Sequence, residues 1–351
     1  MSAPWYLATV LLALSCDPSK PQDTGETSPP DSADTGDTPD TSAPPDTSDT
    51  PDTAETGTPF PGVAAAFLLV VDNSPSMADT SATLGFALPG FVEGLLEAGV
   101  SGRMALTTTS AYPEGVALPG EAGRIIGQPI SLDEPGAAER LQRDLFCDIT
   151  PWSEPLPRDP SYNCGDDPAG AISQQYLTCL CGAGWKPAAA GNGNEEGLEA
   201  TLLALCRSVE VPPSACYDNS ARFQVGDEGS NGDLLDGAEV IFTLLASDEG
   251  DGSWRLPVGE DDPATYLGLF AEMLVPMVFS AMGPDYDPGT RTFTCNGSSA
   301  TTWGTLRYIN AASDTGGTYA PIEAEDGGDC TRMDPAPWLA EVAVLVGAWS
   351  P

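Results

Sequence analysis

The sequence predicts an α/β fold: a mostly parallel central sheet with helices on both faces, preceded by a disordered stalk. Two apolar runs, 67–71 and 240–246, are unbroken rather than alternating, as strands buried on both faces require. Between the first run and a further strand-like segment at 103–108, apolar residues recur at helical spacing. A strand, a helix and a strand in that order favour a parallel sheet.

The first apolar run leads directly into an acidic turn that is rich in hydroxyl groups. Asp72, Ser74 and Ser76 follow the run, and Pro75 stiffens the turn. Open α/β sheets bind ligands beyond the carboxyl ends of their strands, and carboxylate and hydroxyl oxygens suit Mg²⁺ or Ca²⁺. Two interpretations stay open at this point. The segment is a metal loop, or it is a plain turn in which side chains bond nearby backbone N–H groups.

The helix after this loop is predicted from apolar residues three and four positions apart. They are Leu84, Leu88, Phe91, Val92, Leu95 and Leu96. Pro89 is expected to kink the helix and Gly99 to end it. The segment 116–132 is expected to add a further strand or hairpin.

The middle of the chain loses this regular pattern. Residues 133–190 contain many prolines, two tryptophans and four cysteines. This stretch is predicted to be an insertion held by disulfides, with a short helix around 137–146. A glycine-rich loop at 191–197 then opens the next helix.

The second apolar run also ends in acidic residues. Asp248, Glu249 and Asp251 follow 240–246. If the first and fourth strands are neighbours in a parallel sheet, the loops after them converge at one edge. Asp72 and Asp248 are therefore expected to meet. Glu249 and Asp251 are interpreted as solvated turn residues, and the alternative is that they support the metal ligands from behind.

The composition limits the possible functions. A formal charge of −39, from 13 basic and 52 acidic residues, repels nucleic acid and anionic lipid and attracts divalent cations. The sequence contains no histidine, which excludes serine–histidine and cysteine–histidine catalysis as well as histidine-ligated zinc. We therefore expect a binding protein rather than an enzyme, with no nucleic-acid partner.

Nine cysteines bear on the compartment in which the protein folds. Eight of them lie beyond residue 140, an even number that indicates up to four disulfides in an exported chain. The pair Cys206–Cys216 is expected across a short loop, and the pair Cys295–Cys330 is expected to span the last strand–helix region. A structural zinc site is the alternative, although no Cys-x-x-Cys pair occurs in the sequence.

The N-terminal region predicts export and attachment. Residues 1–16 resemble a signal peptide that ends in Ala-Leu-Ser-Cys, which looks like a bacterial lipoprotein cleavage box with Cys16 as the lipidated residue. The alternative is a signal peptide that is cut nearby and leaves Cys16 unmodified. Residues 17–60, rich in Thr, Asp and Pro, predict a disordered acidic linker. The folded domain is expected to span 61–351, with the insertion at about 133–190.

The expected signal peptide, lipid anchor and linker together indicate where in the cell the protein is located. We expect a lipoprotein of the outer membrane or the cell surface, with a position on the periplasmic side as the alternative. Contact with the membrane is expected only through the lipid on Cys16.

Four segments, in order, resemble those of von Willebrand factor A domains and are most similar to exported bacterial members. They are Val71–Met77, Gly191–Glu199, Ser247–Ser253 and Gly316-Gly317. The resemblance covers roughly residue 61 to the C-terminus. It implies a Rossmann-like sheet with a divalent metal ion at the carboxyl ends of its strands.

The resemblance also implies which residues hold the metal. Four of them match the first and third loops of the family pattern, and two asparagines stand where the second loop of the family usually supplies a threonine. They are Asp72, Ser74, Ser76, Asp248, Asn192 and Asn194. An asparagine carbonyl oxygen can ligate Mg²⁺ or Ca²⁺. Thr107–Thr109 are interpreted as strand residues.

The function implied by this resemblance is that of a surface-tethered adhesion or protein-binding module. Mg²⁺, or alternatively Ca²⁺ or Mn²⁺, would engage an Asp or Glu side chain of a partner protein. One alternative is a structural envelope lipoprotein with a degenerate metal site. Another is a metal-assisted hydrolase, which the sequence favours less because it lacks a recognisable nucleophile–base pair.

Overall fold

The computed structural model describes part of the chain. It covers residues 62–350 apart from 113–117, 153–155, 167, 169–171, 189, 192–194, 219–221, 255–261, 274, 288, 296–301 and 327–328. The predicted signal peptide, Cys16 and the acidic linker therefore lie outside the described residues. Thr56–Pro351 forms one compact unit.

The centre of this unit is a six-stranded sheet. Its strands are β1 (Ala64–Val71), β2 (Ser101–Thr108), β3 (Ile130–Ser131), β4 (Val240–Ala246), β5 (Met277–Gly283) and β8 (Tyr319–Pro321). They lie in the order β3-β2-β1-β4-β5-β8. Every neighbouring pair is parallel except β2 with the edge strand β3, so the predicted fold class is confirmed.

The chain builds the sheet outward from β1 in two directions. It passes from β1 to β2 and β3 on one side, and then restarts at β4 on the other side of β1. The boundary between β1 and β4 is therefore the place where the strand order reverses. Ligands of open α/β sheets bind outside the carboxyl ends of the strands at such a point.

Eight α-helices surround the sheet in the described part of the chain. They are α1 (Ala78–Glu97), α2 (Ala137–Asp144), α3 (Gln174–Cys181), α4 (Gly197–Arg207), α5 (Ser214–Asp218), α6 (Ala264–Ala271), α7 (Thr302–Thr315) and α8 (Ala336–Gly347). A single 3₁₀ turn (Pro75–Met77) precedes α1, and a π-helical turn (Leu145–Ile149) extends α2. No described helix is both long and apolar enough to cross a bilayer.

The helices cover both faces of the sheet, which explains the unbroken apolar run of β1. Phe67, Leu69 and Val71 belong to the core cluster shared with α1, α2 and α8. Leu68 and Val70 belong to the opposite cluster, shared with α4, α6 and α7. Successive side chains of a strand point to opposite faces, so a strand between two helical layers requires an apolar residue at every position.

The segment 116–132 follows its prediction in part. In its described residues a further strand is present only at Ile130–Ser131, where it pairs antiparallel at the sheet edge. The rest of its described part runs through turns in which Gly120, Gly123 and Gly127 all have positive φ. Such backbone conformations interrupt regular pairing, and the segment folds over the end of β2 instead.

Four disulfides are present among the described residues. They are Cys147–Cys181, Cys164–Cys179, Cys206–Cys216 and Cys295–Cys330. The set includes both pairs expected from the sequence and leaves none of the eight cysteines as a thiolate for zinc. Disulfides of this number form in oxidising compartments, so the structure indicates an extracellular or otherwise exported protein.

Two short hairpins complete the described structure. The first joins β6 (Tyr286–Asp287) to β7 (Thr292–Phe293). The second joins β9 (Glu323–Asp326) to β10 (Asp329–Arg332), and Arg332 lies opposite Glu323 in its register. This second hairpin follows the end of β8, so it stands at the same edge of the sheet as the loops after β1 and β4.

Candidate functional site

The loops that follow β1 and β4 meet at the carboxyl edge of the sheet. The backbone N–H of Asp72 donates to the carbonyl of Ala246 at 2.9 Å, which extends the β1–β4 pairing by one residue into the loops. Asp72, Asn73 and Ser74 are buried, as is Asp248 on the other loop. The two strand-end acids that the sequence predicts to meet therefore lie at one rim of a single sheet.

A chain of hydrogen bonds joins the four residues predicted from the first and third loops. Asp72 Oδ1 accepts from the backbone N–H of Ser74 at 2.7 Å. The hydroxyls of Ser74 and Ser76 are 2.9 Å apart, and Ser76 Oγ donates to Asp248 Oδ1 at 3.2 Å. The bond from the Ser74 N–H to Asp72 is the one expected for a plain turn. The same loop also donates the Ser76 hydroxyl to Asp248, the acid that follows β4.

Ser247 completes the surroundings of Asp72. Its hydroxyl donates to Asp72 Oδ2 at 2.7 Å, so both carboxylate oxygens of Asp72 accept a hydrogen bond. Ser247 is the residue directly after β4 and is fully buried. It fixes the orientation of the Asp72 carboxylate from the neighbouring strand.

The second loop of the site is described only in part. Asn192 and Asn194 lie outside the described residues, but the residues that flank them are described. Gly191 donates its N–H to the carbonyl of Asn73 at 3.0 Å. A Cβ at position 191 would come within 2.4 Å of Asn73 Oδ1, so the close approach of the two loops requires glycine. Gly191, at the start of the glycine-rich loop, therefore contacts the first loop of the site directly.

Thr109 and Glu195 are site residues that the sequence interpretation missed. β2 ends at Thr108, and Thr109 lies just beyond it. The backbone N–H of Thr109 donates to the carbonyl of Val71 at 3.2 Å. Its hydroxyl donates to the carboxylate of Glu195. The interpretation of Thr107–Thr109 as strand residues is therefore wrong for Thr109. The rule that singles out Asp72, a polar residue at the end of an apolar strand, applies equally to Thr109.

Burial and mutual repulsion disfavour the charged form of the acids at this site. Burial, and then the charge of Asp248, raise the pKa of Asp72 to about 7, against hydrogen bonds from Ser247 and Ser74. Burial, and then the charge of Asp72, raise the pKa of Glu195 to about 9. Burial also raises the pKa of Asp248, against a hydrogen bond from Ser76 and the charge of Arg332.

Asp251 has a different role from the one expected. It is fully buried rather than solvated. Its carboxylate accepts from the backbone N–H of Leu198 at 3.2 Å and lies 3.2 Å from Arg307 Nη1, while Ser253 Oγ accepts from the N–H of Glu199 at 3.1 Å. These bonds satisfy free N–H groups in the first turn of α4. The third loop thus holds the start of α4, and with it the end of the glycine-rich loop.

The donor set fits a hard divalent cation. Asp72 and Asp248 supply carboxylate oxygens, and Ser74, Ser76 and Thr109 supply hydroxyls, which are ligands of Mg²⁺ and Ca²⁺. In addition, Glu195 Oε1 is buried and has no hydrogen-bond partner among the residues that the structure describes. Within the described ranges, no group of three or more Cys, Asp or Glu side chains is arranged to hold a metal. Among the described residues, the hydroxyl oxygens of Ser74, Ser76 and Thr109 are available to add to the two carboxylates.

A cleft of about 260 Å³ opens beside the first loop. Its lining includes Asn73, Thr108, Leu118, Glu121 and Lys186. Lys186 belongs to the disulfide-bonded stretch 133–190, so this stretch contributes to the surface next to the site.

Comparisons with known proteins give structural likenesses only. No family model and no curated protein matches the sequence. A von Willebrand factor type A protein from Catenulispora acidiphila matches with 12% identity and a TM-score of 0.34, over 82% of this chain and 42% of that one. The pilus adhesin SpaC from Lactobacillus rhamnosus GG, in its open conformation, matches with 12% identity and a TM-score of 0.39, over 82% and 30%.

This chain spans less than half the length of either protein. At 12% identity the likeness concerns the fold alone.

Proposed function

We propose that this chain is a protein-binding module of the adhesion type that uses a divalent metal ion at the β1/β4 edge. The observation that carries the proposal is the hydrogen-bonded chain from Asp72 through Ser74 and Ser76 to Asp248. It gathers carboxylates and hydroxyls from two strand ends at the point where ligands of such sheets bind. Mg²⁺ is the expected ion, with Mn²⁺ or Ca²⁺ as substitutes.

The residues of the site have distinct tasks in this proposal. Asp72, Ser74, Ser76 and Asp248 would hold the ion, and Ser247 orients the Asp72 carboxylate. An ion bound there supplies positive charge to an acidic group. Ser76 is exposed whereas Ser74 is buried, so the solvent side of the site is the side of Ser76. A partner's Asp or Glu would approach from that side.

Binding is favoured over catalysis by the chemistry of the side chains. The sequence has no histidine, and the Ser76 hydroxyl donates to Asp248, a carboxylate that also lies 4.0 Å from Arg332. A nucleophile needs a base that is free to accept its proton and is oriented by a third group. Here the Asp248 carboxylate is needed to bind the ion and is not free to act as a base. The arrangement therefore suits cation binding better than catalysis.

Surface presentation is the second part of the proposal. A lipid on Cys16 would anchor the chain, and the acidic linker at 17–60 would hold the folded unit away from the membrane. The four disulfides of the folded unit support export. A radiolabelled palmitate that is incorporated by the wild type and not by Cys16→Ser would support the anchor.

Calorimetric titration with Mg²⁺ and Mn²⁺ tests the metal. The wild type is compared with Asp72→Ala and with Asp79→Ala, which removes an exposed carboxylate from the first turn of α1. We expect Asp72→Ala to lose binding and Asp79→Ala to keep it. Equal heats for the wild type and Asp72→Ala would remove the metal from the proposal and favour a structural protein with a degenerate site.

A further inference from the structure

A basic side chain from a distant part of the chain lies against the candidate site. Arg332 is the last residue of β10, on the hairpin that follows β8. Its Nη2 donates to the carbonyl of Ser76 at 2.7 Å and lies 4.0 Å from Asp248 Oδ2. Its Nη1 donates to the hydroxyl of Thr80 at the start of α1. The guanidinium therefore contacts both loops that carry the proposed ion ligands.

The Arg332 side chain is only partly covered by these contacts. It keeps 27% of its surface exposed, whereas the Asp248 side chain keeps 11%. A second acid, Glu323, lies 3.9 Å away on the paired strand. An arginine fork has five N–H donors and fits a carboxylate through two of them. Part of the Arg332 side chain is therefore accessible to solvent, and its Nη2 contacts the exposed residue Ser76.

The hairpin holds Arg332 in place by contacts that do not involve a metal ion. Cys330, two residues before it, is bonded to Cys295. Met333, the residue after it, donates its N–H to the carbonyl of Ile322 at 3.0 Å. The position of the guanidinium is thus built into the fold. This placement is notable in a chain with 13 basic and 52 acidic residues.

We propose that Arg332 is a specificity-determining residue that contacts the acidic group of the partner beside the metal ion. The inference rests on the proposed function of the site. The ion would attract one carboxylate oxygen and the guanidinium would donate hydrogen bonds to the same group. A neutral amide or hydroxyl would gain much less from the guanidinium, so Arg332 selects a carboxylate.

The same charge has the opposite effect on the ion itself. A guanidinium this close to Asp248 repels a divalent cation that binds Asp248. Removing the charge therefore strengthens binding of the metal and weakens binding of the acid. A residue with a merely structural role would not produce changes of opposite sign.

The test uses Mn²⁺ and a small acid as probes. Calorimetry measures Mn²⁺ affinity, and broadening of the probe's proton signals by bound Mn²⁺ measures binding of N-acetyl-aspartate methylamide, with the asparagine analogue as the neutral probe. The variants are Arg332→Gln and Arg332→Lys. Arg103→Gln is the matched control. Arg103 lies near the start of β2, away from the carboxyl edge of the sheet, and pairs with Asp233.

We expect Arg332→Gln to bind the acid about tenfold more weakly, because a charge-assisted contact is lost, and to bind Mn²⁺ more tightly. Arg332→Lys should keep wild-type Mn²⁺ affinity and bind the acid about threefold more weakly, since it keeps the charge but loses the fork. Arg103→Gln should match the wild type. The neutral probe should bind weakly to every variant.

Three outcomes would overturn the inference. In the first, Arg332→Gln keeps wild-type affinity for the acid. In the second, it loses affinity for Mn²⁺ and the acid together. In the third, where Arg332→Gln does not fold, Arg332→Lys binds the acid as the wild type does. A wild type that binds no Mn²⁺ would instead remove the metal proposal and this inference with it.

Discussion

Ser76 Oγ donates a hydrogen bond to Asp248 Oδ1 at 3.2 Å and so joins two residues that are 172 positions apart in the sequence. The bond spans the boundary between β1 and β4, the place where the strand order reverses. Two loops that carry acids are held together there by hydroxyl groups. The pKa of each acid is raised by burial, so the cluster carries a cost when it is ionised, and a bound cation would offset that cost.

The first prediction concerns Ser76. Ser76→Ala removes a proposed ligand and its bond to Asp248, and we expect about tenfold weaker binding of Mg²⁺, in the range found for residues that orient metal ligands. Because Ser76 is exposed, the melting temperature of the metal-free protein should stay close to that of the wild type. Calorimetry and thermal unfolding measure the two quantities.

Ser313→Ala is the matched control, since Ser313 is an exposed serine on α7. It should bind Mg²⁺ as the wild type does. Wild-type affinity in Ser76→Ala would exclude its hydroxyl from the ion site.

The second prediction concerns pH and Glu195. Its pKa is raised from 4.5 to about 9 in the folded protein, so between these values the folded chain holds a proton that the unfolded chain has released. Stability of the metal-free protein should therefore fall as pH rises through this window. Glu195→Gln resembles the protonated form and lacks this dependence. Relative to the wild type, it should become steadily more stable from pH 5 to pH 9.

Urea unfolding in EDTA at several pH values measures this difference. The exposed Glu139 supplies the control, and Glu139→Gln should follow the wild-type curve. A constant difference between Glu195→Gln and the wild type across the range would contradict the raised pKa of the buried Glu195 carboxyl.

The fold and half of the site can be predicted from sequence because they depend on local pattern. Asp72 and Asp248 each follow an unbroken apolar run, and parallel pairing brings the ends of such runs to one edge. Thr109 obeys the same rule, but the run before it contains Thr107 and Thr108, which hide where the strand ends. Arg332 lies 256 residues from Ser76, and it reaches the site through a hairpin held by a disulfide. No local spacing encodes a contact of that kind.

The third prediction concerns the close approach of the glycine-rich loop to the first loop. In Gly191→Ala the new Cβ would lie 2.4 Å from Asn73 Oδ1 and 2.7 Å from Ser110 Oγ, so one of the loops must shift. We expect a loss of about 1–3 kcal/mol in stability and weaker Mg²⁺ binding. Urea unfolding and calorimetry measure these effects.

Gly268→Ala is the control for this change. Gly268 lies within α6, and a Cβ there would meet no atom within 4 Å. Alanine should stabilise this helix position by about 0.5–1 kcal/mol. If Gly191→Ala were as stable as Gly268→Ala, the two loops would not approach as closely as the structure indicates.

The fourth prediction separates the structural acid of the third loop from the proposed ion ligands. Asp251→Ala removes the carboxylate that pairs with the buried Arg307 and accepts from the N–H of Leu198, although Arg307 keeps its bond to the carbonyl of Ser253. Loss of one member of a buried pair costs about 3–5 kcal/mol, so we expect a large drop in stability with or without Mg²⁺.

Asp233→Ala is the control, because it breaks an exposed pair with Arg103 and should cost less than about 1 kcal/mol. Urea unfolding compares the two variants, and hydrogen exchange at Leu198 and Glu199 reports on the start of α4. Equal costs for both variants, or unchanged protection at those two amides, would show that Asp251 does not hold the helix.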